Sequence, residues 1–320
     1  MAGIEQVWVF SEKPALLAEL AAGAHGLGEA VEVTALVAGP RGEAEAAARN
    51  AERVIWLGEL PQGRMVEDYV PTLAKLVETP PQGALPPDLL VNGATRRGRA
   101  VAGRLAARLG LNVLTDVLAF ASNGELQIRH MIFGGGAVRV EKPLKTPVLA
   151  TVGPGVLEAP PELTARGGEI VEAPFVEPEW RVTLRERKPR KAAAVNLAAA
   201  RKVVCLGRGV AKKEDLAMIE ELAKLLGAEV ACTRPLAEGL DWMPRERYIG
   251  ISGAAVKGDL YLGIGVSGQV QHVIGMNGSR VVAAINKDEH APIFQIADYG
   301  IAGDLYAVVP ALIQALKNRG

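Results

Sequence analysis

The stretch from Asp259 to Asp304 reads DLYLGIGVSGQVQHVIGMNGSRVVAAINKDEHAPIFQIADYGIAGD, and it joins two predicted strands through a glycine-rich turn. The first predicted strand ends at Leu262, and Gly263, Gly265 and Gly268 follow it in GxGxxG spacing. Glycine lets a backbone approach a phosphate closely, and the N–H groups at the start of the next helix receive it. The stretch therefore predicts a nucleotide-cofactor site.

The second predicted strand of this stretch runs from Arg280 to Ile285 and ends at Asn286. A domain that binds a nicotinamide dinucleotide places an aspartate or glutamate there, to hold the ribose. Asn286 at this position therefore argues against an ordinary nicotinamide site. The glycine turn alone is a weak signal, because a chain that holds 36 glycines can contain three in this spacing by chance.

The first half of the chain alternates short apolar runs with segments of helical periodicity, which predicts a βαβ domain with a mostly parallel sheet. The predicted strands are Gln6–Phe10, Val31–Val37, Arg53–Trp56 and Asp88–Val91, and the predicted helices are Pro14–Gly23, Asp68–Glu78 and Arg96–Leu109. Four further strands, Asp116–Phe120, Leu126–Met131, Ala137–Glu141 and Pro147–Val152, are expected to extend this sheet with antiparallel pairs.

The second half restarts the alternation and predicts a doubly wound α/β domain, in which ligands bind at the carboxyl ends of the strands. Its predicted strands include Lys202–Leu206, Glu229–Cys232 and Tyr248–Ile251, and its predicted helices are Lys212–Leu226, a short segment from Gln269 to Gly275, and Leu305–Lys317. Prolines and a basic run from Arg181 to Lys202 separate the halves, so we expect domains at 1–190 and 191–320.

Composition excludes several classes of function. The formal net charge is zero, whereas binding to nucleic acid needs a basic face. Leu260 to Ser279 has no charge, but its glycines and amides argue against a membrane span. The first residues lack the basic start of a signal peptide, so we expect a cytoplasmic or matrix-like location. Cys205 and Cys232 are predicted to be small buried hydrophobes, and no spacing predicts a metal site.

Several motifs of the second half occur in an order that resembles the electron transfer flavoprotein alpha subunit. These are Gly207-Arg208-Gly209, Thr233-Arg234, SGQVQH (Ser267 to His272), AINKD (Ala284 to Asp288), APIFQIADYGI (Ala291 to Ile301) and Asp304-Leu305. The resemblance is dense from Arg201 to the C-terminus and looser over Gly93 to Val117. It implies that the C-terminal domain binds FAD.

The resemblance also implies which residues bind this cofactor. They are Arg208, Thr233, Arg234, Ile249, Gly250, Ile251, Ser252, Ser267, Gly268, Gln269, Val270, Gln271, His272, Asn286, Asp304 and Leu305. Arg208 is expected at the pyrophosphate, and Arg234 against the isoalloxazine, where a fixed positive charge favours the reduced flavin.

Three further roles follow from the same resemblance. Ser252 is expected to place its hydroxyl near flavin N5, although Ile251 departs from the commoner polar residue just before it. His272 is expected to donate to the N1–O2 edge of the flavin, although a lone histidine among apolar neighbours is more often a core residue. Asn286 and Asp304 are expected toward the AMP half.

The function that the resemblance implies is electron transport. We expect the chain to form a heterodimer with an electron transfer flavoprotein beta subunit and to shuttle electrons from acyl-CoA or related dehydrogenases, as in fatty acid beta-oxidation, to a quinone oxidoreductase. The N-terminal domain is then a partner-facing scaffold without a cofactor. Such a chain is an electron carrier and transforms no substrate itself.

Three alternatives remain open at this point. In a related bifurcating branch, the beta subunit holds a second FAD, and electrons from NADH are split toward ferredoxin or flavodoxin and another acceptor. A flavin- or nicotinamide-dependent dehydrogenase needs an acid–base group, for which His272 is the ready candidate. A structural FAD module needs no acid–base group and no electron acceptor.

Overall fold

The computed structural model describes residues 4–122, 126–160, 164–180, 182–186 and 195–318. The chain forms two compact units: unit 1 comprises Met1–Phe133 and Ala137–Lys188, and unit 2 comprises Gly134–Gly136 and Pro189–Gly320. Residue 190 and most of the basic run that begins at Arg181 lie outside the described residues. No helix in the described part of the chain is both long enough and apolar enough to cross a bilayer.

Unit 1 is built on a nine-stranded sheet. Its strands are β1 (Gln6–Phe10), β2 (Glu32–Val37), β3 (Arg53–Trp56), β4 (Leu89–Gly93), β5 (Val113–Ser122), β6 (Leu126–Ile132), β7 (Ala137–Glu141), β8 (Val148–Val152) and β9 (Glu169–Glu172). Their order in the sheet is β7-β6-β5-β8-β4-β1-β2-β3-β9. Neighbours run parallel except β5 with β6 and β6 with β7, which confirms the mostly parallel sheet.

Four helices cover the two faces of this sheet. They are α1 (Pro14–Ala24), α2 (Arg41–Ala47), α3 (Val70–Glu78) and α4 (Arg96–Leu109). Leucines of α1 and alanines of α2 pack in one apolar core, and the apolar residues of α3 and α4 pack in the core on the other face. The connections leaving β1 and β4 therefore pass over opposite faces of the sheet. This change of face between neighbouring strands is a topological switch point.

Unit 2 is built on a five-stranded sheet whose strands are all parallel. Its elements are β10 (Lys202–Leu206), α5 (Leu216–Leu226), β11 (Glu229–Cys232), α6 (Arg234–Glu238), β12 (Leu260–Ile264), α7 (Val270–Val273), β13 (Val282–Asn286), β14 (Tyr299–Ala302) and α8 (Leu305–Lys317). The strand order is β11-β10-β12-β13-β14. The α5 helix packs with α8 on one face, whereas the segment after β12 packs on the other. The switch point of this sheet lies between β10 and β12.

Most departures from the sequence expectation involve short elements. The predicted strand Tyr248–Ile251 is wrong: only isolated bridges form, from Tyr248 to Cys232 and from Ile249 to Ala254. Gly250 has φ 151°, which takes the chain out of an extended path. Strand β8 was predicted within the antiparallel extension, but it runs parallel between β4 and β5.

Other elements were not predicted at all. They are α2, α6, β9 and β14, each seven residues or shorter. The helix predicted from Lys212 begins as a tight turn, Lys213–Asp215, before α5, and the segment predicted from Gln269 is helical only in α7. Short elements carry too few residues for periodicity to identify them.

Candidate functional site

A cleft of about 640 Å³ opens at the carboxyl ends of β10 and β12, at the switch point of unit 2. Two glycine loops form its floor, and their backbones touch: the N–H of Gly209 donates to the carbonyl oxygen of Gly265 over 3.1 Å. Gly265 has φ 62°, and a Cβ there would lie 2.7 Å from the Cα of Gly209. A Cβ on Gly207 would overlap the backbone of Gly265. These positions require glycine because the two loops pack backbone against backbone.

The predicted GxGxxG turn is only partly a loop in this structure. Gly263 lies inside β12, whereas Gly268 has φ 83° and packs against the backbone of Ile293. The N–H of Ile293 donates to the carbonyl oxygen of Ser267 over 3.0 Å. Gly268 therefore joins this turn to the segment before β14 and does not line the cleft.

The cleft brings together most of the residues that the sequence proposed for the cofactor. They are Arg208, Thr233, Arg234, Ile249, Gly250, Ile251, Ser252, Ser267, Gln269, Gln271, His272 and Asn286. The proposed residues that do not line it are Gly268, Val270, Asp304 and Leu305. The structure adds Ala211, Pro235, Tyr248, Val266 and Lys287 to the walls. Lys287 follows Asn286 directly in AINKD, so its position in the motif was the available signal.

The cleft has two cations that lack an acidic partner. Arg208 and Lys287 form no ion pair within the described ranges, and both are exposed. Arg234 differs, because its Nε lies 2.5 Å from Glu238, which also receives Arg245 at 2.8 Å. The hydrogen bond and the negative charge of Glu238 raise the pKa of Arg234. The resemblance predicted that this charge would act on the flavin ring alone. In the structure Glu238 shares the charge of Arg234.

His272 is buried and bonded on both sides of its ring. Its Nδ1 lies 3.0 Å from the carbonyl oxygen of Ile249, so Nδ1 carries the proton and donates. Its Nε2 lies 2.7 Å from the hydroxyl of Tyr261 and therefore accepts. Burial lowers the pKa of His272 to about 4, although the bond to Ile249 acts in the opposite direction. His272 is thus neutral at pH 7, and in this geometry it has no N–H left for the expected bond to a flavin edge.

Tyr261 and Cys205 extend this buried cluster beneath the cleft. Both are fully buried, and the Sγ of Cys205 lies 3.9 Å from the Nε2 of His272. Burial raises the pKa of the Cys205 thiol far above its ordinary value. Cys232, on the neighbouring strand, is also buried and free. The prediction that both cysteines are buried is confirmed.

The segment from Tyr248 to Ser252 forms one wall of the cleft and is held by backbone contacts. The N–H of Ile251 donates to the carbonyl oxygen of Gln271 over 2.7 Å. The ring of His272 also donates to the carbonyl oxygen of Ile249. Gln271 and His272, which are adjacent in the sequence, therefore both hold this wall in place. The side chain of Ile251 is 45% exposed.

Asn286 and Asp304 use their side chains to hold loops. The Nδ2 of Asn286 donates to the carbonyl oxygen of Val266 over 2.8 Å, and its Oδ1 accepts from the N–H of Asp288 over 3.0 Å. Asp304 caps α8 by accepting from the N–H of Tyr306 over 3.0 Å. The AMP-side contacts expected of them compete with these bonds, and Asp304 lies outside the cleft walls.

The chemistry of the cleft fits an anionic cofactor with an extended flat part. Its volume lies in the usual range of small-molecule sites, roughly 300–1,000 Å³. Closely packed glycine loops with two unpaired cations suit a pyrophosphate, and apolar walls with a few hydroxyl and amide groups suit a ring system. Among the described residues that line it, none is an aspartate or a glutamate.

Comparison with known proteins matches both halves of the chain to one family. Residues 13–178 match the electron transfer flavoprotein domain, and residues 196–277 match the electron transfer flavoprotein FAD-binding domain. The chain is 41% identical over 320 residues to YdiR of Escherichia coli strain K12, which carries the name of an electron transfer flavoprotein subunit. That similarity covers 99% of this chain and 100% of YdiR. FixB of Escherichia coli O139:H28 is 40% identical over 98% of each chain, and FixB of Salmonella typhimurium is 39% identical over 98% of each chain.

Proposed function

The chain belongs to the electron transfer flavoprotein family as an alpha-type subunit that binds FAD, and from this premise we propose that it forms the FAD-carrying half of a heterodimeric electron carrier. The cleft between β10 and β12 carries the proposal, because it combines the glycine loops with the unpaired Arg208 and Lys287. It lies largely in the part of the chain that matches the FAD-binding domain.

We assign the parts of FAD to the cleft by chemistry. Arg208 and Lys287 flank the glycine loops and suit the two negative charges of the pyrophosphate. Arg234 and Ser252 suit the flavin ring, because a cation and a hydroxyl are the groups that respond to its change of charge. FAD, when bound, supplies the chemistry of accepting and releasing electrons.

The protein's own residues then hold and tune this site. Arg234 keeps a positive charge at every physiological pH, and its sharing with Glu238 moderates the effect on reduction. His272 acts through position: its neutral ring ties Ile249 to the floor of the cleft, and Tyr261 fixes its tautomer. These two hydrogen bonds hold the wall from Tyr248 to Ser252 in one position.

The described cleft offers neither a carboxylate nor a histidine with a free ring nitrogen for proton transfer, and this supports a carrier over a dehydrogenase. A dehydrogenase needs an acid or base at the surface of its pocket. The histidine of this cleft is neutral and bonded at both nitrogens, and no carboxylate lines the described walls. By its membership of the family, we propose that the protein takes electrons from acyl-CoA or related dehydrogenases and passes them to a quinone oxidoreductase.

A bifurcating role is the second candidate, and Ile251 favours it. This position is apolar and 45% exposed, whereas the family more often has a polar residue there. A flavin that lacks this polar neighbour is tuned differently. In such a system the beta subunit holds a second FAD, oxidises NADH and delivers electrons to ferredoxin or flavodoxin.

The test is purification of the full chain with its beta subunit, followed by release and counting of the flavin and stepwise reduction followed by absorbance. One FAD per heterodimer that transfers electrons from an acyl-CoA dehydrogenase to a quinone oxidoreductase is the expected result. Two FADs with NADH oxidation would support bifurcation. An intact heterodimer without flavin would contradict both and return the structural-module interpretation.

A further inference from the structure

A tyrosine outside the unit 2 cleft holds one of the two glycine loops of that cleft. Tyr306 lies in the first turn of α8 and does not line the cleft. Its hydroxyl oxygen accepts from the N–H of Ala211 over 2.9 Å. Ala211 is a wall residue of the cleft, two positions after Gly207-Arg208-Gly209. The hydroxyl therefore reaches residues 207–212, which we call the Arg208 loop.

The hydroxyl of Tyr306 is anchored by an acid on its other side. It donates to the Oδ2 atom of Asp215, which also accepts from the N–H of Lys212 over 3.2 Å. Partial burial and the hydrogen bond to Asp215 raise the pKa of Tyr306, and the bond from Ala211 opposes them. Because the hydroxyl keeps its single proton and gives it to Asp215, the Ala211 N–H must be the donor to Tyr306.

Tyr306 and Asp215 complete the hydrogen bonding of the Arg208 loop. The N–H groups of Gly207, Gly209 and Val210 donate to the carbonyl oxygens of Ile264, Gly265 and Gly207, and those of Ala211 and Lys212 donate to Tyr306 and Asp215. Within the described structure, this leaves one N–H of residues 207–212 without a partner, that of Arg208. The loop is thus ordered before a ligand arrives, and it keeps one backbone donor beside an unpaired guanidinium.

The element that carries Tyr306 is itself fixed in unit 2. Leu305 and Val309 of α8 pack in the same apolar core as Val210 of the Arg208 loop. Asp304 caps the helix by accepting from the N–H of Tyr306 over 3.0 Å. Tyr306 and Ala211 are 95 positions apart in the sequence, so only the folded unit joins them. The bond from Ala211 therefore ties a loop to a rigid element, which is how binding groups are held in a defined geometry.

We propose that Tyr306 is a positioning residue for FAD, which ties the Arg208 loop to α8 and so holds Arg208 ready for the pyrophosphate. The proposal rests on the proposed function, because it requires that FAD occupies the unit 2 cleft. A loop that is ordered in advance loses less entropy when the ligand binds, so a loop without this tie binds the same ligand more weakly. Tyr306 acts through the loop, since it lies outside the cleft walls.

The test is a double-mutant cycle in the full chain, stripped of flavin and titrated with FAD by fluorescence. Tyr306→Phe is expected to raise the Kd about fivefold, because one hydrogen bond to the loop is lost. In an Arg208→Ala background the same change should raise the Kd by about twofold or less, because the guanidinium that the tie positions is absent. Tyr299→Phe is the matched control, since Tyr299 is 70% exposed on β14 outside the cleft, and it should leave the Kd unchanged.

A second measurement needs no cofactor. In the flavin-free chain, Tyr306→Phe should move the amide proton of Ala211 upfield in the NMR spectrum, because this N–H loses its acceptor. Tyr299→Phe should leave that resonance in place. Asp215→Ala gives an independent reading if Tyr306→Phe disturbs folding, as judged by circular dichroism. It removes the acceptor that orients the hydroxyl, and it should also raise the Kd for FAD.

The outcomes separate this inference from the proposed function. A wild-type chain that does not bind FAD would contradict the proposed function itself. If the wild type binds FAD, an unchanged Kd in both Tyr306→Phe and Asp215→Ala would overturn the positioning role alone. An equal loss from Tyr306→Phe with and without Arg208 would overturn it too, because the tyrosine would then act on the fold in general and not through the Arg208 loop.

Discussion

The two sheets of this protein each open a cleft at a switch point, and the clefts carry opposite unpaired charge. In unit 2, Arg208 and Lys287 have no acidic partner in the described structure, whereas in unit 1 the unpaired groups are Glu12 and Glu59. The unit 1 cleft, which lies between residues 38–40 and 59–66, has a volume of about 670 Å³, nearly equal to the volume of about 640 Å³ in unit 2. Strand topology thus sets where a cleft forms, and the loops at the strand ends set the charge of that cleft.

The floors of the two clefts also differ in how closely they are packed. In unit 2 the loops after β10 and β12 touch through glycine backbones, which no other residue permits. In unit 1 a Cβ on the cleft residue Gly63 would lie 3.7 Å from its nearest neighbour, the side chain of Thr183, which is an ordinary contact. The backbone floor of unit 2 brings N–H groups to a phosphate.

The largest expected loss of stability comes from replacing a glycine of the two loops that form the floor of the unit 2 cleft. Gly265→Ala adds a Cβ that lies 2.7 Å from the Cα of Gly209, in addition to the strain of φ 62°. We expect it to destabilise unit 2 by about 3 kcal/mol or more and to prevent FAD retention. Hydrogen exchange of the β10 and β12 amides measures the loss.

Gly227→Ala is the control, because Gly227 has the same φ of 62° at the end of α5 but open space around it. This change should cost only about 1 kcal/mol. Equal losses in the two variants would mean that the loops do not depend on close backbone contact.

The next effect is a pH dependence that belongs to unit 2. The pKa of His272 is about 4 in the folded chain and about 6.5 when unfolded. Above pH 6.5 both states are neutral, so stability is full. Below it only the unfolded state gains a proton, and stability falls as pH drops toward 4, by roughly 3 kcal/mol in total.

Hydrogen exchange of the β10 and β12 amides between pH 7.5 and 4.5, corrected for the intrinsic exchange rates, follows this loss. A His272→Asn variant, which removes the titrating ring, should lose much less stability over the same interval. A wild-type curve as flat as that of the variant would contradict the buried neutral histidine.

A smaller loss of stability is expected when the hydroxyl of Tyr261 is removed, and none when that of Tyr248 is removed. Tyr261→Phe removes the donor to Nε2 of His272 and should cost about 1–2 kcal/mol, because a buried acceptor loses its partner. It should also move the ¹⁵N shift of Nε2. Tyr248→Phe is the matched control, since the Tyr248 hydroxyl is buried without a partner in the described structure, and its loss should be neutral or stabilising. The reverse order of the two variants would refute the Tyr261–His272 bond.

The smallest effect tests the charge difference between the clefts. Arg208→Ala and Lys287→Ala should each weaken FAD binding roughly tenfold at low salt, and by less at high salt. Lys224→Ala, an exposed lysine on α5, should leave the affinity unchanged. Fluorescence titration of the stripped chain with FAD measures the dissociation constants. Unchanged affinity in both cleft variants would remove the cations from the pyrophosphate assignment.

Features that local sequence determines could be predicted well. All strands except β9 and β14, and the long helices α4 and α8, follow clear sequence patterns, and the glycine loops stand at strand ends. The predicted strand at Tyr248 failed because apolar composition does not reveal that Gly250 turns the chain. The pairing of Arg234 with Glu238 was readable in principle, as an i,i+4 pair on a helix.

Contacts between distant residues could not be predicted. The ring of His272 is fixed by Ile249 and Tyr261, which come from a loop and a strand, so its inward orientation emerges only in the folded chain. The Oε2 atom of Glu12, which is buried without a hydrogen-bond partner in the described structure, likewise depends on burial by other elements. Both are long-range consequences of packing, whereas sequence patterns report local structure.

The central claim is that FAD binds in the cleft of unit 2, and hydrogen exchange of the full chain with and without FAD tests it most directly. The predicted result is slower exchange at residues 207–211, 248–252 and 265–272, with no change at residues 38–40 and 59–66 of the unit 1 cleft. Protection in the unit 1 cleft, or none in the three segments of unit 2 with FAD bound, would contradict it.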